Sequence, residues 1–246
     1  LELGDLASTL NDMLSRLEES FQRLSDFSSD LAHELRTPVS NLLTQTQVTL
    51  SRARSADEYR DILASNAEEF ERLSRTIADM LFLAKAENNQ LIPHPEPLEL
   101  ADEVAELLEF YGVLAEEKEI RLSVVGHGTV SGDRLMLRRA ISNLLSNALR
   151  YTPVGGTVTV RIETQGDEAV KLTVENTGPC IAAEHLPRLF DRFYRTDSAR
   201  QRTTEGSGLG LAITRSILIA HGGDVSVSSA EGITRFTLSL PVGGQL

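Results

Sequence analysis

The sequence predicts two folds in series, a long helical hairpin that pairs with a second copy into a four-helix bundle, and then an α+β sandwich. Residues 1–92 contain one glycine, Gly4, and one proline, Pro38, and their apolar residues recur at spacings of three and four. After the stiff segment Pro93–Pro97, helical and β-rich patterns alternate. This alternation predicts a mixed sheet with helices on one face.

The composition excludes several classes of protein. The 246 residues carry 36 acids against 24 bases, a net charge of −12 that argues against duplex nucleic acid or an anionic membrane as the main partner. One cysteine excludes an internal disulfide framework. No apolar run approaches the roughly 18 residues needed to cross a bilayer, so we expect a soluble chain. Basic clusters at 134–150 and 186–202 fit either a polyanionic small ligand or ordinary surface charge.

The hairpin is predicted from its apolar seams. A first helix carries a seam from Leu6 to Leu42, and a turn follows at 52–57 with Ser55 as N-cap and Glu58 three residues on. A second helix then runs to about Asn89. Because one hairpin buries little by itself, we predict a homodimer through residues 5–90.

The elements of the second domain follow from periodicity. We predict helices over Leu98–Glu119, Asp133–Tyr151 and Leu209–His221. The β-rich segments predict five strands: Arg121–Val125, Thr157–Glu163, Val170–Glu175, Asp224–Ser229 and Thr234–Leu240.

A histidine stands on the polar face of the first helix. His33 lies two residues from both Leu31 and Leu35 of the seam, so it points to water. Pro38 predicts a kink beside it. A zinc-protease motif would need a second histidine where Thr37 stands. The remaining interpretations are an ordinary surface histidine or a nucleophile, since a neutral imidazole can attack phosphorus while a neighbouring carboxylate takes its proton.

Two further groups of residues suit a nucleotide. Asn143, Asn147, Arg150 and Tyr151 form one polar stripe on a helix, where amide oxygens suit Mg²⁺, arginine suits phosphate and tyrosine can stack on a base. A solvated helix face is the plainer interpretation. The glycine-rich segment Gly206–Gly210 opens a helix, a place where backbone N–H groups bind phosphates. It is neither a Walker loop nor a Rossmann turn.

In order and spacing, these segments resemble the sensor histidine kinases of two-component signalling. Phe27–Pro38 resembles the H box and Asn143–Thr152 the N box. The first glycine box, F box and second glycine box are similar to Asn176–Ile181, Leu189–Phe193 and Gly206–Gly210. Finer features, such as Leu186–Arg195, resemble the heavy-metal (copper/silver) sensor branch.

The resemblance implies a domain order and a fold. Residues 1–24 would be the C-terminal part of a HAMP linker, 25–92 the dimerisation and histidine phosphotransfer domain, 93–98 a linker, and 99–246 a catalytic ATP-binding domain of the GHKL (Bergerat) type. The whole would be the cytoplasmic part of an inner-membrane protein, reaching the membrane only through segments upstream of this sequence. The implied partners are a second copy and a response-regulator receiver domain, with no nucleic acid.

Roles for single residues are implied in the same way. His33 would be the phosphoacceptor, Glu34 its base, and Thr37 the residue that positions water or the regulator's aspartate during dephosphorylation. The implied ligands are ATP and Mg²⁺. Asn147 would be the principal metal ligand and Asn143 an assisting one. The remaining nucleotide contacts would be Arg150, Tyr151, Asn176, Gly178, Arg195, Gly206, Gly208, Leu209 and Gly210.

The sequence departs from the family's pattern at one site residue. Most members have an aspartate that accepts from the adenine amino group where Asn176 stands, and Cys180 replaces a glycine. An asparagine oxygen can still accept, but it carries no charge. We expect Cys180 to be structural.

Three alternative functions remain open at this stage. The chain could be a net phosphatase whose kinase step is vestigial, an ATPase of the chaperone or gyrase type with a non-catalytic hairpin, or a coiled-coil adaptor, although an adaptor explains neither glycine box. Direct metal sensing has no support, because His94, His127, His185 and His221 are scattered without ligand spacing, and we expect them at the solvated surface.

Overall fold

The computed structural model describes residues 2–88, 90–166, 168–196 and 207–242, with only part of the side chains before residue 31. The chain divides into two compact units, Leu1–Ala78 and Asp79–Leu246. None of the helices in these described ranges has a stretch apolar enough to cross a lipid bilayer.

The first unit consists of helix α1 (Glu2–Leu50) and most of helix α2 (Ala56–Glu87). Helix α1 continues through Pro38, which is buried. The predicted capping box between the helices is confirmed: the Ser55 N–H donates to Glu58 Oε2 (2.8 Å) and the Glu58 N–H donates to Ser55 Oγ (3.2 Å). These two bonds fix where α2 begins.

In the described residues that follow α2, the second unit contains two sheets, three α-helices and a 3₁₀ turn. In chain order the elements are β1 (Glu96–Glu99), α3 (Leu100–Glu117), β2 (Arg121–Gly126), β3 (Thr129–Gly132), α4 (Arg134–Tyr151), β4 (Thr157–Gln165), β5 (Ala169–Thr177), a 3₁₀ turn (Leu186–Arg188), α5 (Gly210–Ala220), β6 (Asp224–Ala230) and β7 (Ile233–Pro241).

The main sheet has five strands in the order β2-β4-β5-β7-β6. β2 and β4 are parallel and the other neighbours are antiparallel, so the predicted mixed sheet is confirmed. β1 and β3 form a separate antiparallel pair. The core lies between the sheet and the helices, where alternate residues of β5 and β7 and one face of α4 and α5 are buried.

The short strands are where the structure differs from the sequence-based expectation. Glu96–Glu99 was expected to belong to the linker and the start of a helix, yet it pairs with Thr129–Gly132. Helix α3 therefore begins at Leu100, where the Glu99 side chain caps it. Four-residue strands leave too little alternation to read from sequence. The two compact units divide between Ala78 and Asp79, and within the second unit Arg139 of α4 contacts both Asp79 and Phe82 of α2.

Candidate functional site

The candidate phosphoacceptor lies on an exposed face of α1. His33, Glu34 and Thr37 are all exposed, whereas Leu31 and Leu35 of the apolar seam are half-buried. The prediction that His33 points to water is therefore confirmed. The exposed imidazole is therefore open to a reaction partner.

Helix α4 carries the candidate nucleotide residues. It begins where the Asp133 carboxylate accepts the Met136 N–H (3.0 Å), and its buried row of Leu137, Ile141, Leu144, Leu145 and Ala148 matches the predicted core face. Burial alone would raise the pKa of Asp133, but the N–H groups of Met136 and His94 donate to the carboxylate and hold that pKa below its usual value.

The polar stripe of α4 lies beside this buried row. Asn143, Asn147 and Arg150 are half-buried and Tyr151 is exposed. The stripe therefore borders the core without belonging to it, a position in which side chains can reach both a bound ligand and a neighbouring element.

The first residue of the stripe, Asn143, contacts the second glycine segment. Asn143 Nδ2 donates to the Gly210 carbonyl (3.0 Å) at the start of α5. Thr214 of α5, fully buried, donates to the same carbonyl (3.0 Å). The side chain of Leu209 is also fully buried, so any nucleotide contact at this residue is made by its backbone. Gly206 lies outside the described residues.

A close backbone contact joins the F box to the second glycine segment. The Phe193 N–H donates to the Gly208 carbonyl (3.0 Å), and both residues have positive φ, +58° and +72°. A Cβ on Gly208 would lie 2.9 Å from the Phe193 backbone. Glycine is required at 208, since the conformation and the close approach both exclude a side chain.

The C-terminal end of α4 contacts the first glycine segment. A Cβ on Gly178 would lie 2.7 Å from the Tyr151 carbonyl oxygen, and the Gly178 N–H donates to the Gly232 carbonyl (2.9 Å). Asn176, two residues before, is buried at 5% exposure. The structure thus brings both glycine segments against one face of one helix.

Charged residues around α4 divide into two groups. Arg134 and Arg138 form ion pairs with Glu103 and Glu106 of α3, and the hydrogen bond from Arg138 lowers the pKa of Glu106. Arg139 pairs with Asp79, so these ion pairs join α4 to α3 and α2. Arg150 and Arg195 are half-buried, and each interacts with other groups of the protein.

One histidine was placed wrongly by the sequence. His221, expected at the solvated surface, is buried at 4% exposure: its Nδ1 bonds the Ile217 carbonyl (2.8 Å) and its Nε2 accepts the Asp133 N–H (2.9 Å). It thereby joins the end of α5 to the start of α4. His94 and His127 are exposed as expected, whereas His185 is half-buried and its Nδ1 forms a hydrogen bond with the Tyr194 hydroxyl (2.7 Å).

Some contributing residues were not found from sequence. Three hydrogen bonds across long sequence separations support the site. The Thr214 hydroxyl donates to the Ala140 carbonyl (3.4 Å), the Gly232 carbonyl accepts the Gly178 N–H, and the Thr177 hydroxyl accepts the Thr157 N–H (3.0 Å). The apolar run that contains Thr214 gave one usable signal, since a buried threonine in such a run needs a hydrogen-bond partner. Cys180 is exposed, and its Sγ accepts the Gly232 N–H.

Comparison with known proteins decides the family. Residues 23–89 match the model of the His Kinase A (phospho-acceptor) domain, and residues 132–244 match that of the Histidine kinase-, DNA gyrase B-, and HSP90-like ATPases. The mycobacterial sensor histidine kinase MprB is 32% identical, with a TM-score of 0.54 over 61% of this chain and 100% of its own. The chain belongs to the sensor histidine kinases.

Two further kinases show how far the similarity extends. The sensor histidine kinase CusS of Escherichia coli K12 is 55% identical over 242 residues, which cover 98% of this chain and 50% of CusS. The structure of the histidine kinase AdeS of Acinetobacter baumannii is 25% identical, with a TM-score of 0.73 over 86% of this chain and 98% of its own. The resemblance to the heavy-metal branch is confirmed. The chain spans about half the length of the curated relatives it matches.

Proposed function

We propose that this kinase transfers the γ-phosphoryl group of ATP to His33 and then to an aspartate on a response-regulator receiver domain. The observation that carries the proposal is the exposure of His33 within a segment that matches a phosphoacceptor domain. The arrangement of both glycine segments against α4 supports nucleotide binding in the second domain.

The first step forms a bond between a ring nitrogen of His33 and the γ-phosphorus. The bond from this phosphorus to the oxygen that bridges to the β-phosphate breaks, and ADP leaves. The other ring nitrogen carries a proton, which we propose is taken by the carboxylate of Glu34, the next residue and also exposed. Positioning and charge stabilisation supply most of the rate.

The second step moves the phosphoryl group to the regulator. The phosphorus–nitrogen bond breaks as a carboxylate oxygen of the receiver aspartate bonds to phosphorus. In the proposed phosphatase activity, Thr37 positions the water that hydrolyses the phosphorylated aspartate of the regulator. Thr37 is exposed on α1, one helical turn beyond His33, so both residues can face the same partner.

The α4 stripe fits a Mg²⁺–ATP complex. The side-chain amide of Asn147 is half-buried and makes no hydrogen bond to any residue that the structure describes, which leaves its oxygen for a metal ion. Asn143 uses one N–H on Gly210, so its oxygen is also oriented by the protein. We propose Asn147 as the principal ligand and Asn143 as the assisting one. Bound Mg²⁺ neutralises charge on the triphosphate.

The other predicted contacts complete the proposed nucleotide site. Tyr151 and Asn176 would contact the base, Gly178 would let the backbone approach it, and Arg150 and Arg195 would contact phosphate. The phosphate end would be formed by Gly206, Gly208, Leu209 and Gly210, whose backbone leads into the N-terminus of α5.

The proposed assembly is a homodimer in the cytoplasm. Leu63, Phe70 and Ile77 recur every seven residues along α2 and are exposed, as expected of a face that a second copy covers. Since the chain spans half of its relatives, we propose that it is the cytoplasmic signalling part of a longer inner-membrane sensor, with residues 1–24 continuing a HAMP linker.

The test is phosphoryl transfer from γ-labelled ATP with Mg²⁺, comparing the chain with His33→Gln. We expect acid-labile, alkali-stable label that disappears in the variant, which retains ATP binding. Label retained by His33→Gln would contradict the assignment of His33. ATP hydrolysis that continues without any labelled protein would favour the ATPase of the gyrase or chaperone type instead.

A further inference from the structure

A buried amide ends an otherwise apolar row of the sheet. On β5 the alternate residues Val170, Leu172 and Val174 are buried, and the next position in this row is Asn176. Burying an amide costs free energy unless its polar atoms find partners. The buried amide of Asn176 therefore needs hydrogen-bond partners.

The protein satisfies little of this amide. Asn176 Nδ2 donates to the carbonyl of the adjacent Thr177 (3.3 Å), and within the described part of the chain this is its only side-chain hydrogen bond. A primary amide offers two N–H groups and an oxygen with two lone pairs. One N–H and the oxygen thus remain for a ligand.

The flanking strands do not supply the missing partners. Asn176 lies opposite Val158 on β4 and Thr234 on β7. Valine has no polar side-chain atom, and the Thr234 hydroxyl is engaged with Ser229 Oγ (2.9 Å). The following turn is held against the end of α4, since Gly178 approaches the Tyr151 carbonyl closely. The amide of Asn176, with one N–H and its oxygen still available, therefore lies where the candidate nucleotide site meets the sheet.

We propose that Asn176 lets this site accept a 6-oxopurine nucleotide as well as an adenine nucleotide. The inference rests on the proposed function, in which Asn176 contacts the base. Adenine presents an amino donor at position 6, whereas hypoxanthine, the base of inosine, presents a carbonyl acceptor there. A carboxylate only accepts and would repel that carbonyl, but the amide of Asn176 keeps both an acceptor, its oxygen, and a donor, its second N–H.

The experiment compares two nucleotides on two proteins. The dissociation constants of ATP and inosine triphosphate are measured on the full chain by competition with a fluorescent ATP analogue, for the natural sequence and for Asn176→Asp. We expect the two constants to lie within about tenfold of each other in the natural sequence. In Asn176→Asp the preference for ATP should rise by about tenfold to a hundredfold, the effect of one mismatched buried hydrogen bond.

A matched variant controls for the added negative charge. Gln165→Glu makes the same amide-to-carboxylate change at an exposed position, at the other end of the β4–β5 hairpin. It should leave the ratio of the two constants unchanged. If the ratio of the two dissociation constants is the same in the natural sequence and in Asn176→Asp, the inference is wrong. That result would leave the proposed nucleotide site itself unaffected.

Two further outcomes distinguish failure of this inference from failure of the proposed function. Should Asn176→Asp fail to fold, the natural sequence decides alone: a preference for ATP above a hundredfold would overturn the inference. Failure of the natural sequence to bind either nucleotide would remove the proposed function itself, and the inference with it.

Discussion

At the scale of single residues, two features that can be tested separately require glycine at position 208. Its φ of +72° disfavours a side chain, and a Cβ would also meet the Phe193 backbone at 2.9 Å. We expect Gly208→Ala to weaken ATP binding at least tenfold and to lower the free energy of unfolding by about 1–3 kcal/mol. Nucleotide titration and urea unfolding measure the two effects.

Gly155→Ala is the control for this substitution. Gly155 has a similar φ of +78° but open space around its Cβ position, so it isolates the cost of backbone conformation. ATP affinity should be unchanged in Gly155→Ala. Equal losses of affinity in both variants would mean that the contact with Phe193 has no special role.

The Glu99 carboxylate accepts three hydrogen bonds from two parts of the chain. It accepts the Gly128 N–H (2.8 Å), the Thr129 hydroxyl (2.9 Å) and, more weakly, the Ala101 N–H at the start of α3 (3.4 Å). At pH 7, Glu99→Gln should lower the free energy of unfolding by about 1–2 kcal/mol, because charged acceptors bind N–H groups more strongly. Glu96→Gln, exposed on the same strand, should have no measurable effect.

The same carboxylate predicts a pH dependence with a definite sign. The hydrogen bond from the Gly128 N–H, with those from Thr129 and Ala101, holds the pKa of Glu99 below its usual value in the folded protein. Its stabilisation is therefore present above about pH 4.5 and is lost as the pH falls through the lowered pKa. The stability difference between the natural sequence and Glu99→Gln should therefore shrink as the pH falls below about 4.5. A difference that grew on acidification would contradict this assignment.

At the scale of elements, α4 depends on a histidine from another helix. His221 Nε2 accepts the Asp133 N–H at the start of α4, and its Nδ1 bonds the Ile217 carbonyl of α5. Replacing it with a ring that cannot bond should leave the Asp133 N–H unsatisfied. We expect His221→Phe to lower the free energy of unfolding by about 1–3 kcal/mol, measured by urea unfolding.

His127→Phe makes the same substitution on the surface. His127 is exposed, and it should tolerate the change within about 0.5 kcal/mol. If the two variants unfolded at the same urea concentration, the bridge between α4 and α5 would contribute nothing to stability.

The sequence predicted some helices and strands of the second unit more accurately than others. The long periodic segments gave α4 and α5 and the strands β2, β4, β5, β6 and β7 to within two residues. The pair β1–β3 was missed because strands of four residues have no resolvable period. The site residues on α4 shared one face by spacing alone. In contrast, the contacts of Asn143 with Gly210 and of Tyr151 with Gly178 depend on tertiary packing, which spacing does not contain.

At the scale of the whole molecule, the exposed heptad on α2 predicts the oligomeric state. Leu63, Phe70 and Ile77 lie on one face of α2, and Phe70 is 59% exposed in the single chain. We expect sedimentation to show a dimer, and Phe70→Glu to shift it to the monomer, since a buried carboxylate at a helix interface is costly.

An exposed glutamate substitution off this face serves as the comparison. Gln90→Glu, exposed after α2, should leave the sedimentation coefficient unchanged. ATP binding should survive in the monomeric Phe70→Glu, because the nucleotide residues all lie in the second compact unit. A dimer that persists in the Phe70→Glu variant would move the predicted interface to another face.

The order of strands in the main sheet constrains how this protein is made. β7 is the last strand along the chain, yet it lies inside the sheet between β5 and β6, and it pairs with β5 across about sixty intervening residues. During synthesis, the edge of β5 that pairs with β7 stays unpaired until the β7 segment has left the ribosome. The nucleotide-binding domain consequently folds after translation of its last strand, not progressively, and nascent chains halted before residue 233 should be targets for chaperones and proteases.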